Sequence, residues 1–186
     1  MADTDFHLWD ADWGTMVPGL EGNSLVPRHE LDALLTVVPA EGRFLELGTF
    51  MGVTAAVIAD ARPNLVIWSV DWQNTPALGR AGINGWQSNR RPNMRLLVAH
   101  TDDLDTLLPD HSFHGIFVDA DHRYERVRHD LALAERLLRP GGVLLAHDYG
   151  HPWFDGPKRA VDEFCSHRPW RCECVIGTLV RLVANA

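Results

Sequence analysis

Apolar positions along the chain follow two periods in alternation. After Pro27, Leu31, Leu34, Leu35 and Val38 recur three and four residues apart, which predicts a helix. The apolar run 44–47 predicts a strand, 54–61 a helix, and 65–70 a second strand ending at Asp71. A weaker helical pattern spans 76–90, followed by a strand at 94–99, a short helix at 103–108 and a strand at 115–118. The clearest helix is 123–138, with Tyr124, Val127, Leu131, Ala134 and Leu138 on one stripe. Pro140-Gly141-Gly142 reads as its stop and 143–146 as a fifth strand. A helix at 158–165 precedes two apolar runs, 171–176 and 178–183, separated only by Gly177, which predicts an antiparallel hairpin.

Five strand–helix alternations and a closing hairpin imply an α/β sandwich on a mostly parallel sheet, with ligands at the strands' C-terminal ends. Residues 1–26 lack a period and read as an irregular arm; 27–186 read as one domain.

Composition changes this picture little. With 46% apolar and 23% charged residues the chain has the make-up of a globular protein. A formal net charge of -8 argues against nucleic acid as the partner, because phosphate binding needs clustered Lys and Arg. No membrane-length apolar run or leader pattern is visible, so a soluble, cytoplasmic protein is expected. Cys165, Cys172 and Cys174 form no zinc framework; Cys172 and Cys174 share one face of a late strand and read as free thiols in the core.

The chemistry should lie just past each strand. Strand one ends in Glu46, Gly48 and Gly52, where glycines allow a tight turn and close approach to backbone at a helix start. Strand two ends at Asp71, spaced to grip ribose hydroxyls. Strand three is followed by His100, Thr101 and Asp102, strand four by Asp119, Asp121 and His122, and strand five by His147, Asp148 and Tyr149. Each could be a solvated loop residue, but the recurrence at five strand ends is hard to dismiss.

These pieces resemble the class I S-adenosylmethionine-dependent methyltransferases. The matching motifs are Glu46-Leu-Gly48-Thr-Phe-Met-Gly52, Asp71, and Leu138-Arg-Pro140-Gly141-Gly142-Val143. Asp119-Ala-Asp121-His122-Arg-Tyr124 and His147-Asp148-Tyr149 look like the catechol- and sugar-O-methyltransferase-like branch. The resemblance covers roughly 24–183 and implies a Rossmann-like three-layer fold with seven strands. It implies that Glu46, Gly48, Thr49, Phe50 and Gly52 hold the methionine part of S-adenosylmethionine. Asp71 would take the ribose, Trp72 would flank the adenosine, and Thr101 and Asp102 would approach adenine. Asp119 would lie near the reacting methyl group.

Relatives in that branch use a divalent cation to lower the pKa of a hydroxyl acceptor. Asp119, His147 and Asp148 occupy the corresponding ligand positions, for Mg²⁺ or Mn²⁺, although a histidine ligand suits Mn²⁺, Fe²⁺ or Zn²⁺ better than Mg²⁺. The same acids could instead shape a metal-free pocket, and the sequence leaves both open. His122 stands where relatives place a lysine base, so Asp119 and His122 are the catalytic candidates, with helix packing as the alternative for His122 and N-capping for Asp121. Tyr149 and His151 either line the acceptor site or simply occupy a loop, and the loop tryptophans Trp9, Trp13, Trp72, Trp86 and Trp153 either stack on an acceptor or bury a contact in a homo-oligomer. The expected activity is O-methylation of a small molecule, a sugar or phenol. A metal-dependent oxygenase and a non-catalytic cofactor-binding module are the alternatives.

Overall fold

The computed structural model describes residues 15–72 and 76–185. Trp9, Trp13 and most of the predicted arm therefore lie outside the described residues. Seven strands form one sheet: β1 (Glu41–Leu47), β2 (Asn64–Asp71), β3 (Met94–Val98), β4 (Phe113–Val118), β5 (Leu138–Ala146), β6 (Trp170–Ile176) and β7 (Leu179–Ala184). Their spatial order is 3-2-1-4-5-7-6. The first five run parallel, and β7 pairs antiparallel with both β5 and β6. Helices α1 (Arg28–Val37), α2 (Val53–Ala61), α3 (Pro76–Asn89), α4 (Leu104–Leu107), α5 (Tyr124–Leu137) and α6 (Gly156–His167) fill the connections.

Both faces of the sheet are covered, which explains why its strands read as near-continuous apolar runs. One core joins Leu45, Ile116, Val118 and Leu144 to Val127, Leu131 and Phe164 of α5 and α6. The other joins Phe44, Ile67, Phe117 and Leu145 to Leu31, Leu34 and Ile58 of α1 and α2. Neighbouring residues of one strand thus serve opposite cores, as the period of two requires. The strand order reverses direction between β1 and β4, so a crevice opens at their C-terminal ends.

Four expectations need correction. Pro140-Gly141-Gly142 does not stop α5: Leu138 is already extended, at φ -76 and ψ 135, and the helix ends at Leu137. The turn lies inside the span of β5, where Phe113 pairs with Leu138 and Gly115 with Val143, so the extra residues bulge from the ladder. Part of the supposed arm is ordered structure: Thr15–Met16 pairs antiparallel with Asn23–Ser24. Ser24 Oγ meets Thr54 Oγ1 at 2.9 Å, and Asn89 Nδ2 donates to Glu21 O at 2.8 Å, fastening this segment to α2 and α3. Trp86 is not a loop residue; it lies within α3 and is buried in the α1/α2 core. Cys174 is exposed rather than in the core, because β6 is the sheet's edge strand.

Candidate functional site

The turn after β1 is built by a close crossing of backbones. Gly48 has φ +89, and a Cβ there would run into the carbonyl of Asp119 after β4. Phe50 also takes a positive φ, 45, a conformation that costs energy for a side chain of its size. Asp71 secures it: its Oδ2 accepts the amides of Thr49 at 2.9 Å and Phe50 at 2.5 Å. The carboxylate expected at a ribose therefore also shapes the turn. Burial raises its pKa, and the amides of Phe50, Thr49 and Trp72 offset part of that rise.

Glu46 is buried beneath the turn. Its Oε2, the Thr49 hydroxyl and the Ser69 hydroxyl are all buried without a hydrogen-bond partner. Burial pushes the Glu46 carboxyl up to about 8, while the nearby Thr49 and Ser69 hydroxyls temper the rise. Unpaired buried polar atoms beside an open turn fit a polar ligand that would complete them.

A cleft opens next to the turn, lined by Gly48, Asp71, Trp72, Thr101, Asp121 and Asp130 among others. Trp72 is half exposed and meets the His100 ring edge-on at 5.1 Å. Thr101 lines the cleft. Asp102 does not line it: its carboxylate is paired with Arg126 at 2.8 Å and His100 at 3.2 Å. Asp130, given no role from sequence, is buried on α5 and lines the cleft instead. Its signal was a carboxylate on the apolar stripe of a helix, between Val127 and Ala134. Asp121 accepts the amide of Arg123 at 2.8 Å, one residue ahead of α5.

Across the crevice, β4 and β5 deliver a cluster of charged groups. The ligand atoms of Asp119, His122 and Asp148 lie within 4.8 Å of one another. His122 Nε2 is 2.8 Å from Asp148 Oδ2, and Asp148 itself holds a positive φ of 58. His147 Nδ1 is 3.2 Å from Asp119 Oδ1 and 3.4 Å from Asp148 Oδ2. Its Nε2 is 2.6 Å from Oε2 of Glu30, a buried carboxylate on α1. Glu30 was missed by the sequence reading. Its signal was again an acid on an apolar stripe, one turn before Leu34 and beside Leu31.

The cluster's electrostatics follow from these distances. Burial alone would lower the His147 pKa, but Asp119, Asp148 and Glu30 hold it well above the ordinary histidine value. Burial would raise Asp148, yet its bonds to His122 and His147 pull it well below the usual carboxylate range. His122 is raised too, because the Asp148 contact outweighs its own burial. The surrounding acids favour the protonated form of both rings. The donor set fits a divalent cation equally: ligand atoms around such an ion lie ~3 Å apart, given bonds of about 2.1 Å. His147 Nδ1 lies near this spacing from Asp119 Oδ1 and from Asp148 Oδ2.

Beside the cluster, residues 149–155 form an aromatic shelf. The Phe154 ring stacks on His122 at 4.1 Å and 10°, and on His151 at 4.9 Å and 24°. Trp153, half exposed, meets His151 edge-on. Tyr149 turns away, its hydroxyl donating to Asp162 of α6 at 2.8 Å.

Comparison with known proteins agrees with this geometry. Residues 45–149 match a family described as a methyltransferase domain, running from the glycine turn to the end of β5 and covering more than half of the chain. The release factor glutamine methyltransferase of Gloeobacter violaceus is 27% identical, over 75% of this chain and 59% of its own length, so the chain spans well under two thirds of that relative. Cofactor-bound Rv0187 from MTB superimposes with a TM-score of 0.69 at 18% identity, covering 86% of this chain and 81% of that one. An O-methyltransferase from Bacillus cereus in complex with S-adenosylhomocysteine gives 0.64 at 16% identity, covering 86% and 82%. These likenesses carry the fold, and the domain match carries the family. The chain belongs to the methyltransferase domain family and has the fold of the S-adenosylhomocysteine-bound methyltransferase it superimposes on.

Proposed function

We propose that this methyltransferase acts on a hydroxyl of a small, flat acceptor such as a phenol or sugar. The observation that carries the reading is the His122–Asp148 pair, 2.8 Å apart, standing between the cofactor turn and the aromatic shelf. Methyl transfer to a hydroxyl needs alignment of the acceptor and removal of its proton. When Nε2 of His122 donates to Asp148, Nδ1 is left to accept that proton, and no hydrogen bond reaches Nδ1 among the described residues. Asp148 then steadies the imidazolium that forms.

S-adenosylmethionine supplies an electrophilic methyl carbon; the turn from Glu46 to Gly52, with Asp71, Trp72 and Thr101, would hold it. Asp119 links the two halves, since its backbone touches the turn at Gly48 and its carboxylate belongs to the cluster. A divalent cation, Mn²⁺ better than Mg²⁺ given a histidine donor, would be held by Asp119, His147 and Asp148 and would acidify the acceptor hydroxyl. The shelf of Phe154, His151 and Trp153 would orient a planar acceptor by stacking. The formal net charge of -8 supports a small molecule over nucleic acid, and we assign the protein to the cytoplasm on the same reading. A homo-oligomer whose second copy adds acceptor contacts remains part of the proposal.

The test is transfer of a methyl group to a panel of phenols and sugars, read by mass, beside a release-factor glutamine peptide. His122→Ala should lower kcat by about 10²–10⁴-fold and leave S-adenosylhomocysteine affinity unchanged. A rate matching the unaltered enzyme would remove the base, and turnover on the peptide alone would replace the acceptor class.

A further inference from the structure

Glu30 and Thr178 lie outside the residues that define the family match, yet they reach the centre of the site. The Glu30 carboxylate is fixed from one side before it meets the cluster. Its Oε1 accepts the backbone amide of Thr178 at 2.5 Å and the Thr178 hydroxyl at 3.1 Å. Gly177 is bare where a Cβ would strike that same oxygen, so the hairpin between β6 and β7 closes directly over the carboxylate. Oε2 is left aimed at His147 Nε2, 2.6 Å away. A carboxylate offers only acceptors, so Nε2 must carry a hydrogen. The other ring nitrogen, Nδ1, is then the one that faces Asp119 and Asp148.

We propose that Glu30 is a positioning residue that sets the His147 tautomer and thereby makes Nδ1 the nitrogen donor to a divalent cation. The inference rests on the cluster being a cation site, and it adds that α1 and the β6–β7 hairpin govern the affinity of that site. Outer partners of this kind typically change metal affinity by about 10–100-fold when altered.

Glu30→Gln separates orientation from packing, because the amide nearly matches the carboxylate in shape. The Thr178 amide still demands an acceptor, so the glutamine oxygen takes the Oε1 place and its NH₂ faces His147. Nε2 must then accept, and the proton moves to Nδ1, where it blocks ligation. Calorimetry with Mn²⁺ and Zn²⁺ should show affinity reduced by about 10–100-fold in Glu30→Gln, with S-adenosylhomocysteine affinity and the circular dichroism spectrum retained. In ¹⁵N-labelled unaltered protein, Zn²⁺ should shift the Nδ1 resonance of His147 while Nε2 keeps its proton; this measurement stands even where the variant fails to fold. Zn²⁺ bound with a proton still on Nδ1, or a Glu30→Gln protein of unchanged cation affinity, would overturn the role of Glu30. Failure of the unaltered protein to bind either ion would overturn the cation site itself.

Discussion

At the scale of single residues, the site is a set of buried charges, each with an assigned counterweight except one. Asp148 has His122 and His147, and Glu30 has His147 and Thr178. Glu46 is buried with the Thr49 and Ser69 hydroxyls beside it, and its Oε2 has no hydrogen-bond partner among the described residues. Unfolded, this glutamate ionises near its ordinary 4.5; folded, only near about 8. Between those values the folded protein holds a proton that the unfolded chain has released. The sign is therefore negative: stability is highest below the unfolded value and declines as pH rises towards about 8. Glu46→Gln should flatten that decline. Melting temperatures of the cofactor-free protein, compared between about pH 5 and pH 8.5, check it. Equal slopes in variant and parent would show that Glu46 is not the group responsible.

At the scale of elements, the order and kind of every sheet strand and major helix were legible from the chain's periods. Long, doubly covered strands such as β1 and β2 leave apolar runs that no exposed segment imitates. The carboxylates at strand ends were legible for the same reason, since a parallel sheet leads the chain to one edge. What periodicity could not show was which helices lean over that edge. Glu30 lies 117 residues from His147 in the chain, and only the packing of α1 brings them together. The β5 bulge at Pro140-Gly141-Gly142 was likewise hidden, because a proline–glycine run signals a break without saying whether a helix or a strand is broken. The shelf after β5 has its own consequence. Phe154 holds both His122 and His151 by stacking, so Phe154→Ala should free the His122 ring. We expect kcat/KM to fall by about 10–100-fold, on the order of a 1 Å misplacement of a catalytic group. Steady-state kinetics with S-adenosylhomocysteine affinity as control would check this, and unchanged kcat/KM would show that the shelf holds no acceptor or base.

At the scale of the molecule, the sheet is a plate whose C-terminal edge carries two unlike halves. The β1–β3 half presents the turn and the cleft, and the β4–β5 half presents the charged cluster and shelf. Gly48 and Asp119 touch where they meet, so occupancy of the first half should steady the whole plate. S-adenosylhomocysteine at a hundredfold excess over its Kd should stabilise the fold by about 2.7 kcal/mol, which raises Tm by ~5–10 °C for a domain of this size. Differential scanning calorimetry would read the shift, and its absence would show that the folded protein does not bind S-adenosylhomocysteine preferentially over the unfolded chain.

The bond between Glu30 and Thr178 joins residues 148 positions apart. A nascent chain that has emerged as far as Asp148 already contains the residues of the turn, of the cleft and of the cluster Asp119, His122, His147 and Asp148. It still lacks the hairpin that orients Glu30. Domains acquire their long-range contacts last, after the local ones are in place. On the proposed function, the site's final adjustment would therefore be a late event of synthesis, and catalytic competence would report on completion of the hairpin and not merely on formation of the turn and cleft.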